Sequence, residues 1–489
     1  MATILDEIRT SIQAQSPLIY LYSPEEERVL RMLHVVAGEQ DCDLRIWSCV
    51  EGLQGSEEAV TTDPVAALRT VVKEDLTGLI IFKDLAPFLE RPEVARALRD
   101  AYYSGAAERR TVIIVSADLT MPESLKKEMH LIEVPPPEET DILQQLGQIR
   151  KTNEHYNLPD EAIQEVAMAL KGLTETEIRH VMHRVLQHET AAKDELVDEI
   201  FNEKKNIVKK SGYLEFSPPR WGIDGLGGLG SLKDWLVKRR RMFTPEAVAA
   251  GVPVPKGLLM MGVSGCGKSL AVKVISSLWE IPLFRLDMNL VFSGMYGSPE
   301  ETFHRALRTV ESVAPAVLWI DEIENALGMD DDGIAANTHI FSSFLTWMQE
   351  KPPMIFIAAT ANRIQALPAE IIRKGRFDQV FFCDLPTKEE RVEIFRIHLT
   401  LNSADLDDFD FKMLTVQTDG WNGAEIEQAV IAARTEAYYD GREFSQRDLD
   451  ISIAKIVPLS DTMEQQIKTI RSWAFSRATP ASKYGRRRR

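Results

Sequence analysis

Short apolar runs alternate with longer amphipathic stretches through the first half of the chain. Leu18–Tyr22, Leu44–Ser48, Leu79–Phe82 and Thr111–Val115 have the length of buried strands, and Arg28–Ala37 and Ala66–Val72 read as helices between them. Strand and helix in alternation predict a parallel α/β sheet. The second half is punctuated the same way, with the apolar runs Leu258–Met261, Val317–Ile320 and Met354–Ala359 suited to strands buried on both faces. Between the halves, Lys204–Lys210 is polar and basic and Ser217-Pro218-Pro219 disfavours helix, which places a linker at 211–222. Near the end, Asp461–Arg477 has the pattern of an amphipathic helix, and Thr479–Arg489 reads as disordered.

The residues directly behind each apolar run in the second half carry chemistry. After Leu258–Met261 comes Gly262-Val263-Ser264-Gly265-Cys266-Gly267-Lys268-Ser269, a phosphate-binding loop pattern immediately behind a strand. Its glycines let backbone N–H groups turn inward around phosphates, and the next helix aims its positive end at them. Lys268 is placed to neutralise the outer phosphates and Ser269 to hold Mg2+; Cys266 is not needed by this chemistry. Val317–Ile320 ends in Asp321-Glu322, where Asp321 can hold Mg2+ through water and Glu322 can orient and deprotonate an attacking water. Met354–Ala359 leads to Asn362, whose amide can help place that water. An asparagine opening a turn is common, and its neighbours give it this meaning. Arg373 and Arg376 flank Gly375, and such guanidinium groups can stabilise a transferring phosphoryl group from an adjacent subunit, although most surface arginines are simply solvated.

Taken in order, these segments from about Trp221 to about Glu436 resemble the AAA class of AAA+ ATPases. Pro255-Lys256-Gly257-Leu258-Leu259 is similar to that family's lead-in to the phosphate loop, Asp321-Glu322-Ile323-Glu324 to its Walker B segment, and Ile371–Asp378 to its second region of homology. The resemblance implies ATP and Mg2+ as cofactors, Asn362 as sensor 1 and Arg373 and Arg376 as finger arginines. It implies that Leu226 and Gly227 lie against adenine, and that His398, Gly423 and Ala424 face the nucleotide from a small helical lid. The layout as a whole resembles the divergent AAA proteins encoded in cyanobacterial and red-algal plastid genomes. One departure bears on mechanism: where the family's unfoldases carry an aromatic-hydrophobic-Gly triplet facing a central pore, this chain has Met295-Tyr296-Gly297, with the aromatic displaced by one residue.

The expected architecture is therefore an α/β P-loop three-layer AAA+ core with a small helical lid, preceded by a second α/β domain. The divisions are 1–210 for that N-terminal domain, 211–222 for the linker, 223–386 for the large ATPase subdomain, 387–458 for the lid and 459–489 for a C-terminal helix and basic tail. The N-terminal domain reads either as a degenerate AAA-like module with its own lid over about Glu138–Leu186 or as an unrelated α/β adaptor. Ser23-Pro24-Glu25-Glu26-Glu27 stands where a phosphate loop would, without a glycine and with carboxylates that repel phosphate.

Composition narrows the function. A net charge of -17 argues against broad attraction to nucleic acid or an anionic membrane, and Arg486–Arg489 forms a dense basic cluster. Cys42, Cys49, Cys266 and Cys383 form no CxxC pair, which favours a reducing compartment over a zinc site or disulfide framework. No apolar run is long enough to span a bilayer and the first residues do not read as a signal segment. The expectation is an ATP-hydrolysing homo-oligomer, by resemblance a hexameric ring, that remodels a protein partner in a cyanobacterial cytoplasm or plastid stroma. The alternative is a nucleotide-gated scaffold that regulates a partner without threading it.

Overall fold

The computed structural model describes residues 4–56, 61–74, 76–152, 160–186, 193–219, 221–243, 247, 250–295, 297–326, 335–352, 354–363, 367–373 and 375–483. One compact unit runs to Pro137 and includes Thr174–Thr176; the other takes Glu138–Leu173 and continues from Glu177.

In the first unit the strands β1 (Leu18–Tyr22), β2 (Leu44–Ser48), β3 (Gly52–Leu53), β4 (Gly78–Lys83), β5 (Arg110–Ser116) and β6 (His130–Glu133) form one sheet in the order β3-β2-β4-β5-β1-β6. All its pairings are parallel except the short β2–β3 edge. The alternation that marks these strands also splits their side chains. Ile19, Leu21, Ile81 and Ile113 pack on one face, and Leu18, Tyr20, Phe82 and Val112 on the other.

The second unit is built around β7 (Leu214–Ser217), β8 (Gly257–Gly262), β9 (Leu283–Leu286), β10 (Ala316–Ile320), β11 (Ile355–Ala361), β12 (Gln379–Cys383) and β13 (Thr479–Pro480) in the order β13-β12-β8-β11-β10-β9-β7. Leu259, Met261, Leu318 and Ile357 face one core, and Leu258, Met260, Val317 and Phe356 the other. Burial on both faces is why these strands carry no polar alternation. Setting aside the two-residue edge strand β13, which pairs parallel with β12, and taking the other five parallel strands of each unit by their place in the chain, the order is fifth, first, fourth, third, second in both. The first unit thus repeats the topology of the second.

Two helical groups complete the second unit. Glu139–Thr152, Asp160–Leu170, Glu175–Leu186 and Lys193–Ser211 share a core of Ile142, Leu146, Leu170, Ile178, Val181 and Ile200. Lys388–Leu401, Phe411–Gln417, Gly423–Tyr439 and Gln446–Lys455 enclose Phe395, Leu399, Trp421, Ile426 and Leu449. The first of these is opened by a capping box at Thr387 and Glu390, the third by one at Asn422 and Glu425.

Three expectations are corrected. The polar stretch Lys204–Lys210 belongs to the helix Lys193–Ser211, not to a linker. The linker placed at 211–222 holds β7, which pairs antiparallel with β9 through Leu214↔Leu286 and Phe216↔Phe284. Four residues are too few for a periodic signal, and only the partner strand defines them. Thr479–Arg489 is not disordered at its start: β13 pairs with Phe381 and Phe382, and Ala481 is buried. The run Arg486–Arg489 lies outside the described residues, as does Tyr296.

Lys204 is the anomaly of the core. It is fully buried and its Nζ has no hydrogen-bond partner among the described residues. Burial pulls its pKa down from the ordinary 10.5 to about 7. The unfolded chain therefore binds more protons than the folded one between about pH 7 and 10.5, and stability rises with pH across that window. Below it, the fold carries a buried charge. Lys204→Met is expected to raise stability at pH 7 by on the order of 2 kcal/mol and to flatten the pH dependence. Thermal melts of both proteins from pH 6 to 10 check this.

Candidate functional site

The carboxyl ends of β8, β10 and β11 meet at one edge of the sheet, and the residues that succeed them face a common cavity of about 470 Å³. Parallel neighbours ending side by side are the reason that segments distant in sequence converge here.

The loop after β8 forms its floor. Gly262 has φ 139°, and a Cβ there would lie 2.0 Å from the Cys383 carbonyl, so only glycine lets the loop leave the sheet beside β12. Gly265, at φ 77°, similarly has no room for a side chain against Asn422. The helix Lys268–Trp279 then starts at Gly267 with no side-chain cap, which leaves the N–H groups of its first turn directed at the cavity. Lys268 is buried, and its ammonium donates to the carbonyls of Gly262 (3.0 Å) and Val263 (2.8 Å). Burial lowers its pKa, and nearby acidic groups oppose that shift. Ser264, Gly265, Cys266, Gly267 and Ser269 line the cavity. Burial pushes the Cys266 thiol well above its usual range, so this cysteine serves as packing.

At the other wall, Asp321 Oδ1 accepts from Thr360 Oγ1 at 2.5 Å and from Ser269 Oγ at 3.4 Å. Thr360 Oγ1 in turn accepts the backbone N–H of Glu322 at 3.0 Å. Glu322 has φ 47°, a left-handed conformation that costs on the order of 1 kcal/mol for a residue with a side chain. Asn362 Nδ2 donates to Glu322 Oε1 at 2.7 Å. Glu324, almost fully buried, accepts the N–H groups of Asn362 (2.8 Å) and Arg363 (2.9 Å) and fixes the turn that carries the amide. The structure therefore joins Lys268, Ser269, Asp321, Glu322 and Asn362, and adds two residues to which the sequence motifs assign no role. Thr360 stands two positions before Asn362 on the same strand end, so the strand period places both on one face. Glu324 closes the acidic segment Asp321-Glu322-Ile323-Glu324, and its position there is the signal that could have found it.

The remaining wall comes from the lid. The N–H of Ala424 donates to the Gly265 carbonyl at 3.1 Å, docking the start of the helix Gly423–Tyr439 on the phosphate loop. Gly228 and Leu229 donate to Glu393 (2.8 Å) and Glu390 (3.1 Å), which ties the Leu226–Gly227 segment to the lid. Leu226, Gly227, His398, Gly423 and Ala424 all line the cavity, and Trp221, Ile397 and Leu401 give this end its apolar character. Burial lowers the His398 pKa, opposed by the Glu427 carboxylate, so the ring is neutral at pH 7 and suited to an uncharged base. Arg373 and Arg376 are not among the lining residues. Arg373 is exposed, and Arg376 donates to the Glu370 carbonyl.

An uncapped helix N-terminus, a buried ammonium, a hydroxyl beside a carboxylate and an apolar slot fit a nucleoside triphosphate; Ser269 and Asp321 supply the oxygen donors that a hard divalent cation takes. The comparable place in the first unit does not fit. Glu25, buried at the end of β1, pairs with Arg28 at 2.9 Å and accepts the N–H of Glu175 at 2.6 Å, while Arg28 also donates to the Pro135 carbonyl. Burial raises the Glu25 pKa against the pull of those donors. The chain's own carboxylate fills the position that a phosphate would take.

Comparison with known proteins agrees with this geometry. Residues 258–385 match the ATPase family associated with various cellular activities (AAA), and residues 4–134 and 140–211 match the N-terminal and second domains of SpoVK-like AAA ATPases. The fold and site are those of an AAA ATPase, and the chain binds nucleotide as an enzyme of that class. It is 33% identical over 481 residues to the uncharacterised AAA domain-containing protein ycf46 of Guillardia theta, covering 96% of this chain and 95% of the relative. To the protein of the same name from Pyropia yezoensis it is 32% identical over 477 residues, 96% of this chain and 97% of the other. A proteasome-activating nucleotidase of Thermococcus onnurineus is 29% identical over 224 residues, 44% of this chain and 56% of the relative. The chain belongs to the ycf46 family of AAA proteins.

With one fitted site and one filled by its own ion pair, titration calorimetry of the full chain is expected to give one ATP bound per chain. Lys268→Ala is expected to abolish that binding, with no residual site in the first unit.

Proposed function

We propose that this protein is a ring-forming ATPase whose hydrolysis is completed between subunits and drives the remodelling of a protein partner. The observation that carries it is the hydrogen-bonded set at the cavity mouth: Asn362 on Glu322, and Thr360 bridging Glu322 and Asp321.

In this reading Lys268 and the N–H groups of the phosphate loop hold the triphosphate. Ser269 and Asp321 hold Mg2+, which neutralises phosphate charge when bound. Glu322 takes the proton of the attacking water, and its position is set twice, at the backbone by Thr360 and at the carboxylate by Asn362. A general base held this way loses little entropy on reaching the reactive geometry. Leu226, Gly227, His398, Gly423 and Ala424 receive the nucleoside and let the lid sense it. Arg373 and Arg376 act on a neighbour's nucleotide, a role supported by the exposure of Arg373 and by the absence of both from the chain's own cavity lining. Head-to-tail placement of that kind closes into a ring, for which a hexamer is the natural candidate.

A protein partner is favoured over nucleic acid by the charge of -17. The relative named as a proteasome-activating nucleotidase supports the same direction. The first unit, with its phosphate position filled by Glu25, recruits or braces and does not hydrolyse. Among the described residues no helix is long and apolar enough to cross a membrane, in keeping with work in a plastid stroma or a cyanobacterial cytoplasm.

The test is steady-state ATP turnover against protein concentration, with particle size read by light scattering. The wild type is expected to gain specific activity as it assembles. Glu322→Gln should cost about 10²–10⁴ in rate and Arg373→Ala about 10³ while both still bind ATP. A wild type that assembles and binds ATP yet turns over no faster than Glu322→Gln would leave a nucleotide-gated scaffold as the reading. Thr360→Val is expected to lower turnover about 10²-fold with nucleotide affinity kept, since it releases the Asp321 carboxylate and the Glu322 backbone without touching the phosphate loop.

A further inference from the structure

Beside the nucleotide cavity lies a second, polar one of about 280 Å³, with Arg285, Asp287, Asn289 and Phe292 on one side and Asp321 and Glu322 on the other. The two cavities meet at these carboxylates, which line both. Arg285 belongs to β9, whose neighbours are β7 and β10, and the register sets Glu215 and Trp319 opposite it. Asp321 lies two residues beyond Trp319, so the strand period returns it to the same face. Glu215, Arg285 and Asp321 thus form a row of alternating charge across the sheet.

The distances fit that row. Arg285 Nη2 is 3.6 Å from Asp321 Oδ2, and Nη1 is 3.7 Å from Glu215 Oε2. The guanidinium carbon sits 5.3 Å from the centre of the Trp319 ring, a cation–π contact that fixes its height above the sheet. Its Nε is buried without a hydrogen-bond partner among the described residues, so the two carboxylates and the ring set its orientation. The two oxygens of Asp321 are held by different groups, Oδ1 by Thr360 and Ser269 and Oδ2 by Arg285. Contacts at both oxygens restrain the carboxylate against rotation about its last bond.

We propose that Arg285 is a positioning residue of the hydrolytic site: it holds Asp321 from the side away from the phosphate loop and keeps Oδ1 turned toward Ser269. This rests on the reading of Asp321 as a metal carboxylate. Through Glu215 the same guanidinium ties that carboxylate to the edge strand β7, which comes directly after the helix Lys193–Ser211. Neither Arg285 nor Glu215 belongs to a sequence motif; the pairing of β9 with β10 brings Arg285 to the site and that of β7 with β9 adds Glu215. The sign of the effect is diagnostic. If Arg285 acted only through its charge, removing it would favour a second cation at Asp321; if it positions the carboxylate, removing it weakens the cation's site.

The experiment is a fluorescence titration of N-methylanthraniloyl-ATP on the full chain as a function of free Mg2+, for wild type, Arg285→Ala, Arg285→Lys and Asp321→Asn. Binding without metal and the melting temperature are measured beside it. Arg285→Ala is expected to raise the half-saturating Mg2+ about tenfold, with metal-free affinity and melting temperature unchanged and Arg285→Lys recovering part of the loss. An unchanged or lowered Mg2+ requirement in Arg285→Ala, with Asp321→Asn shifted, overturns the role of Arg285 alone. So does a loss of metal-free binding or of the melting transition, which would make its role structural. A Mg2+ requirement unmoved in Asp321→Asn overturns the metal assignment itself, and the proposal with it.

Discussion

Everything at this site depends on a parallel sheet buried on both faces. A strand with apolar cover above and below has no place for polar chemistry along its length, so chemistry collects where the strands end. β8, β11 and β10 are adjacent and run the same way, so the phosphate loop, the turn with Asn362 and the acidic pair Asp321-Glu322 leave the sheet at one edge. Separations that look arbitrary in the chain become a few ångströms there.

The polar contacts at that edge are economical because single groups serve two partners. The Thr360 hydroxyl accepts from the Glu322 backbone and donates to Asp321, satisfying the N–H of a strained residue and orienting a carboxylate together. Glu324 takes two successive N–H groups of the next loop and makes its turn rigid. Networks of this kind, held in a partly buried setting, fix geometry more firmly than their separate bonds would suggest. The lid joins the same frame through Ala424 on Gly265, which docks the start of the helix Gly423–Tyr439 on the phosphate loop.

The two units show how one topology takes different chemistry. Both place five parallel strands in the same order, β13 aside, yet in the second the turn after the first of them is rich in glycine and open to an anion, and in the first it carries Glu25. Glu25, Arg28 and the N–H of Glu175 satisfy one another, and a site filled by its own charges has nothing left to offer a phosphate. Fold alone does not carry the activity; the residues at the strand ends do.

Much of this is legible in the chain itself. The strands Leu18–Tyr22 and Leu44–Ser48 appear at the positions their apolar runs mark, and the phosphate loop stands out by its local spacing, with Asp321, Glu322 and Asn362 gaining meaning from their order behind it. Strand length, side-chain period and glycine content are properties of neighbouring residues, and a sequence states those directly. What the sequence did not state depends on partners far along the chain. β7 and β13 are strands only because β9 and β12 offer edges to pair with, Lys204 looks like solvated surface until its helix is packed, and Thr360 and Glu324 acquire their roles from the groups that face them. Local pattern determined which segments form strands and which loop receives phosphate; register and packing between distant segments decided which polar atoms meet, because hydrogen bonds and burial are set by neighbours in space.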